Sequence, residues 1–166
     1  MADSQDLFDP LTGRWTRVSP ALATVRRLTE TLPLALGAVV ALVVAVLVPG
    51  LRWIPLVVGA LVAAAAAWHF VWARRNQRSW GYAEADDDLL VTSGVWFRRL
   101  VAVPYGRMQF VDVHAGPVQR WFGIASVTLH TASPETAATI PGLPTAEATR
   151  LRNRLTELGE TRSAGV

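Results

Sequence analysis

The chain has 166 residues, 51% of them hydrophobic and only 17% charged, where a soluble domain carries about 25% charged residues, and its mean hydropathy is +0.28. This argues against a disordered chain, and two uninterrupted apolar stretches argue against an ordinary soluble globule. Cysteine is absent and all 16 basic residues are arginine, which removes disulfide scaffolds, thiolate metal sites, cysteine nucleophiles, lysine Schiff bases and the P-loop lysine together.

The net charge of +3 is unevenly spread. Residues 1–79 hold eight arginines and four acids, and residues 80–166 hold eight arginines and nine acids. The second half is too weakly basic for a nucleic-acid partner.

Residues 1–31 form an N-terminal segment. Residues 1–13 are polar and acidic and are expected to be mobile. Trp15 beside Arg14 and Arg17 has the chemistry of an interfacial anchor. Ser19-Pro20 is a helix start, with serine as the cap and proline as the first helical residue. A juxtamembrane helix from there runs through Arg26 and Arg27 toward the first apolar run, and Pro33 is expected to kink it.

Two membrane spans follow, about 32–48 and 53–73, each within the roughly 17–25 residues a bilayer crossing needs. Pro49-Gly50-Leu51-Arg52 leaves room only for a tight turn, so residues 32–73 read as an antiparallel helical hairpin. Gly37, Ala41 and Ala45 in one span, and Gly59, Ala63 and Ala67 in the other, recur at four-residue spacing, a face suited to close packing in lipid, within one hairpin or between copies. Arg26 and Arg27 precede the first span and Arg74, Arg75 and Arg78 follow the second, against Arg52 alone in the turn. This places both termini in the cytoplasm. Trp53 marks the outer interface and Trp68 and Trp72 the inner one. His69 among them reads as an interfacial residue.

From Trp80 the pattern changes to short alternating strands. Six are expected: Trp80–Ala85, Leu89–Thr92, Val95–Val103, Met108–His114, Ile124–Thr131 and Ala137–Ile140. They are separated by Asp86-Asp87-Asp88, Ser93-Gly94, Pro104, Gly116-Pro117, Ser133-Pro134 and Pro141-Gly142. Turns this regular indicate a β-barrel or sandwich. Thr145 then caps an amphipathic helix carrying Leu151, Leu155 and Leu158, placed to close the barrel. The module covers residues 80–158, and 159–166 are expected to form a flexible tail.

Three stretches carry a resemblance. They are Gly94-Val95-Trp96-Phe97-Arg98-Arg99 through Val103-Pro104-Tyr105-Gly106-Arg107-Met108-Gln109; Gly116-Pro117-Val118-Gln119-Arg120-Trp121-Phe122-Gly123-Ile124-Ala125 on to Thr131-Ala132; and Ile140-Pro141-Gly142-Leu143 with Glu147-Ala148 and the arginine-bearing helix. With the preceding hairpin they resemble the bacterial pleckstrin-homology-like family of YdbS type (bPH2, earlier a domain of unknown function), over about residues 14–158. The resemblance implies an α+β membrane protein: a two-helix transmembrane hairpin, then a small split β-barrel capped by a C-terminal helix. It implies no substrate and no cofactor.

No catalytic motif is present. Asp112, His114 and His130 read as solvated strand residues rather than a metal site. The acidic Asp86–Asp88 turn lacks the spacing of a calcium loop. The adjacent Trp121 and Phe122 are expected to plug one end of the barrel with Arg120 solvated, and the alternative is a recognition surface. Arg98, Arg99 and Arg107 together can touch anionic headgroups, or be plain solvated residues. The expectation is a non-enzymatic adaptor or scaffold at the inner face of the cytoplasmic membrane, contacting lipids and another membrane protein or itself. The alternatives are an anionic-lipid or small-ligand binding module and, behind these, a membrane enzyme or transporter subunit.

Overall fold

The computed structural model describes residues 15–48, 50, 52–132 and 137–163. They form two units, a helical one of residues 23–75 and a module of residues 15–22 with 76–163.

In the helical unit, α1 (Ala21–Arg26, its first two residues in the module) leads through a π-helical turn (Arg27–Thr31) into α2 (Leu32–Leu47), and α3 (Trp53–Ser79) returns. Ser19 starts the first helix as expected, its Oγ accepting from the Ala21 N–H at 3.2 Å. The irregularity expected at Pro33 takes the form of the π turn just before it. Proline has no N–H to offer the carbonyl four residues back, and the Leu32 N–H reaches five back to Arg27 O. Nearly all apolar side chains of both helices face outward, the reverse of a soluble core helix.

Within the hairpin, the seam differs from the four-residue stripe. The least exposed positions are Thr31, Leu34, Ala38, Ala41 and Ala45 against Pro55, Gly59, Val62, Ala66, His69 and Ala73, alternating three and four apart. A four-residue step overshoots a full turn by about 40°, so a strict four-spacing drifts off the seam. Gly59 stays in, where a β-carbon would stand 3.3 Å from Ala41 Cβ. Gly37 lies at the edge facing Val62, and Ala63 and Ala67 are exposed.

The module begins with a strand the sequence does not announce, β1 (Thr16–Arg17), which pairs antiparallel with β2 (Gly81–Glu84). With β3 (Asp88–Ser93) and β4 (Arg99–Pro104) they make a four-stranded sheet in order β1-β2-β3-β4. A three-stranded sheet holds β5 (Met108–His114), β6 (Ile124–Thr131) and β7 (Ala138–Pro144). The short helix α4 (Pro117–Trp121) joins β5 to β6, and α5 (Thr145–Ser163) ends the module. The tail expected from residue 159 is therefore helical to 163. Residues 1–13, and the Ser133-Pro134 turn, lie outside the described residues.

The sheets do not close into a barrel. Pro104 has no N–H, and the Tyr105 N–H bonds Asp87 O at 3.1 Å. The corner of the chain is thereby committed to the first sheet, and a helical turn (Tyr105–Arg107) separates β4 from β5. The core lies between the sheets and α5: Tyr82, Leu89, Val103, Val127, Leu129, Ile140 and Leu143 with Ala148, Leu151 and Leu155, all buried. The third strand starts four residues later than expected, because Val95–Arg98 form a hairpin tip. The last strand runs through Pro141-Gly142 instead of stopping there. A register shift between Ala125 and Val127 lies opposite them, and a bulge tolerates a proline and a left-handed glycine.

Candidate functional site

Strand register decides which loops share an end of the module. Gly81 pairs with Thr92 and Ser93 with Arg99, so the tip at 94–98 stands where α3 hands the chain to β2. In the second sheet Ile124 pairs with Pro144, and the Thr145 N–H bonds Gly123 O at 3.0 Å, so α4 stands at the start of β6. The Ser19 N–H bonds Gly142 O at 2.9 Å, which brings these two ends together. Gln77 Nε2 donates to Val18 O at 3.0 Å and Arg17 Nη1 to Arg78 O at 2.5 Å, so the segments leading to both spans leave from this end. The opposite end carries the Asp86–Asp88 turn, Tyr105–Arg107 and the C-terminus of α5, where Arg162 pairs with Asp87.

At the span end the tip is built on Gly94. Its φ is +104°, and a β-carbon there would stand 1.9 Å from Phe97 O, so only glycine fits. The turn throws Trp96 and Phe97 outward, 69% and 91% exposed. On α4, Pro117 sits in the first turn and the Gly116 N–H bonds Gln119 Oε1 at 3.0 Å. Trp121 is 89% exposed and Phe122 38%. Trp121 therefore does not plug the module, and Ile124, Leu143 and the α5 leucines fill the core. Arg98, Arg99 and Arg120 are exposed at this same end. Arg107 is not with them, because β4 carries it roughly 17 Å or more away, at about 3.3 Å per residue, to the far end. Trp96 and Phe97 escape the sequence reading because they are good strand formers.

The interfacial anchors have partners of their own. Trp15 packs beside Gly81. Arg27 lies over the Phe70 ring at 3.8 Å and its Nε donates to Phe70 O at 3.2 Å. Trp68 and Trp72 stack at 6.5 Å, and Trp53 is exposed in the first turn of α3. Arg26 also lies in the helical unit, and Arg74, Arg75 and Arg78 line the last turns of α3. His69 Nδ1 stands 3.6 Å from the Glu30 carboxylate across the hairpin.

The histidines of the second sheet do not converge. His114 Nδ1 lies 3.9 Å from Asp112, while His130 stacks on Phe110 at 4.1 Å. Among the described residues no three His, Asp or Glu side chains gather to hold a metal ion. A pocket of about 200 Å³ at the far end, lined by Glu84, Asp86, Tyr105, Arg154 and Leu158, is smaller than the ~300–1,000 Å³ of ordinary small-molecule sites.

A polar clasp ties α5 to β2. Arg150 Nη2 donates to Glu84 Oε1 at 2.5 Å and to Glu147 Oε1 at 2.7 Å, and the Tyr82 hydroxyl donates to Glu147. The Arg150 guanidinium, aided by that hydroxyl and opposed by partial burial, holds the Glu147 carboxyl below its ordinary value. Burial first, and the hydrogen bond to Glu147 second, push Tyr82 up. Burial pushes Tyr105, whose hydroxyl donates to Ala85 O at 2.9 Å, up to about 12. A depressed carboxyl stabilises the fold above its unfolded value of 4.5 and loses this as pH falls; a raised phenol stabilises it below pH 10 and loses this as pH rises. Thermal unfolding of the full chain in detergent is therefore expected to peak between about pH 5 and pH 10. Glu147→Gln flattens the acid limb, and Tyr82→Phe with Tyr105→Phe flattens the alkaline one. Unchanged limbs in these variants contradict the assignment.

The family model described as Bacterial PH domain matches residues 21–159. The UPF0699 transmembrane protein YdbS of Bacillus subtilis (strain 168) is 30% identical over 149 residues, 86% of this chain and 91% of that protein. No solved structure matches the chain.

Proposed function

Since this chain belongs to the bacterial PH domain family and is a membrane protein, we propose that it is a non-enzymatic scaffold held at the cytoplasmic face of the inner membrane, with both termini inside. The observation that carries this reading is the one-ended attachment: Ser19, Gln77 and Arg78 are all bonded at a single end of the module. The outer face of the second sheet is left to a protein partner. That face carries Phe110, Asp112 and His114 beside Thr128 and His130, and β5 ends its sheet with no described strand beyond it. An unpaired strand edge is a template for a partner strand.

Two experiments on the full chain test this. In the cysteine-free background, Gly50→Cys is expected to react with an impermeant maleimide on intact cells and Thr156→Cys only after lysis; the reverse pattern overturns the orientation. A photo-crosslinker at Phe110 in native membranes is expected to trap one abundant protein, this chain or another. The adduct is expected to be lost when Thr128→Arg is added beside it. No protein adduct above background overturns the scaffold reading.

A further inference from the structure

We infer that the span end of the module is a lipid-docking rim: Trp96, Phe97, Trp121 and Phe122 enter the headgroup layer of the membrane that the chain itself spans, and Arg98, Arg99 and Arg120 face its anionic phosphates.

Five large apolar side chains are exposed on the described part of the module beyond residue 80. Four of them are Trp96, Phe97, Trp121 and Phe122. The fifth, Phe110, stacks on His130 elsewhere. Single exposed apolar residues are ordinary on a soluble surface, whereas a cluster marks a surface that meets something apolar. These four come from two loops 20 or more residues apart, and strand register within each sheet, with the Ser19–Gly142 bond between the sheets, brings the loops to one end.

Neither loop is slack. Gly94 holds the first in a turn that a β-carbon would break, and the Gln119 side chain pins the second through the Gly116 N–H. The aromatics are held outward by the fold rather than left over from it.

The occupant follows from what the chain does next. The module includes Ser19–Leu22 and Asn76–Ser79, and one residue beyond each the chain enters the helical unit, with its two lipid-length apolar helices. A bilayer surface is thus covalently kept at this end. Tryptophan and phenylalanine favour the interfacial layer, and arginine beside them favours anionic headgroups.

The test uses the full chain in single-copy nanodiscs, with an environment-sensitive fluorophore on Phe97→Cys, Trp121→Cys or, leaving all four aromatics in place, Val95→Cys. Arg107→Cys is the far-end control. In discs containing phosphatidylglycerol, the three rim labels are expected to shift to the blue and to be quenched by spin-labelled lipid, while the control answers only to aqueous iodide. Each arginine near an anionic leaflet shifts the docked-to-undocked ratio by on the order of five-fold. Arg98→Gln, Arg99→Gln and Arg120→Gln together are expected to lower it by on the order of one-hundred-fold, most visibly at low salt. Rim labels that answer to iodide as the control does overturn the proposal. So do rim labels shielded from both quenchers, which would report a protein contact. The rim does not rest on the scaffold reading: a protein trapped at Phe110 with no lipid contact at Val95 keeps the one and sinks the other.

Discussion

Gly142→Ala is expected to destabilise the module by about 2–4 kcal/mol and to loosen the seat from which the first helix departs. Gly142 has a φ of +69°, and a β-carbon there would stand 2.7 Å from Leu22 Cβ and 3.0 Å from Leu22 Cδ1. The left-handed backbone alone costs a non-glycine residue about 1–2 kcal/mol. The collision adds to that, because Leu22 is buried and the Ser19 N–H is bonded to the Gly142 carbonyl. Gly123→Ala separates the two effects: its φ is +64°, but nothing stands within 4 Å of the added carbon, so it carries the backbone cost alone. Adding Leu22→Ala to Gly142→Ala makes room and is expected to recover part of the loss. Denaturant unfolding of the full chain in micelles measures all three, and trypsin reads the seat directly through faster cleavage at Arg17. A Gly142→Ala variant no weaker than Gly123→Ala rules out the packing account.

The parts of this fold that were legible in the sequence are those decided by local pattern. Met108–His114 and Ile124–Thr131 are strands over the residues expected, because alternation within each is bounded by glycine and proline. The two apolar runs announce their helices by length alone. What failed depends on contacts distant in sequence. Thr16–Arg17 is a strand only because β2 lies beside it. The Val95–Arg98 tip looks like strand until Gly94 is seen to fold the chain against the Phe97 carbonyl. Pro141-Gly142 reads as a stop, yet a bulge on β7 itself absorbs it.

The candidate site divides in the same way. Arg98, Arg99, Arg120, Trp121 and Phe122 stand out by residue type, but their gathering at one end is a property of register within each sheet and of the Ser19–Gly142 bond between the sheets. Arg107 joins them in the sequence and not in space. The clasp of Tyr82, Glu84, Glu147 and Arg150 spans 65 and 66 residues and leaves no local trace beyond Glu147 and Arg150 three apart on one helix.

Leu151→Ala is the largest loss expected from a single truncation, about 2–5 kcal/mol. Ala148, Leu151 and Leu155 lie three and four apart on α5, and each is fully buried. Removing the side chain at 151 takes the middle contact from the face that seals the sheets, which do not seal one another. Leu158, one turn further, is half-buried at the rim of the far-end pocket, so Leu158→Ala leaves less of a cavity and is expected to cost about 1 kcal/mol. The two variants have the same chemistry, so their difference measures how tightly α5 is gripped along its length. The hairpin of residues 23–75 is a separate unit, so Leu151→Ala is expected to abolish the near-ultraviolet signal of the module at a lower temperature while most of the helical far-ultraviolet signal persists. Equal losses for Leu151→Ala and Leu158→Ala, or a far-ultraviolet signal that falls together with the near-ultraviolet one, would show that α5 does not close the module independently of the spans.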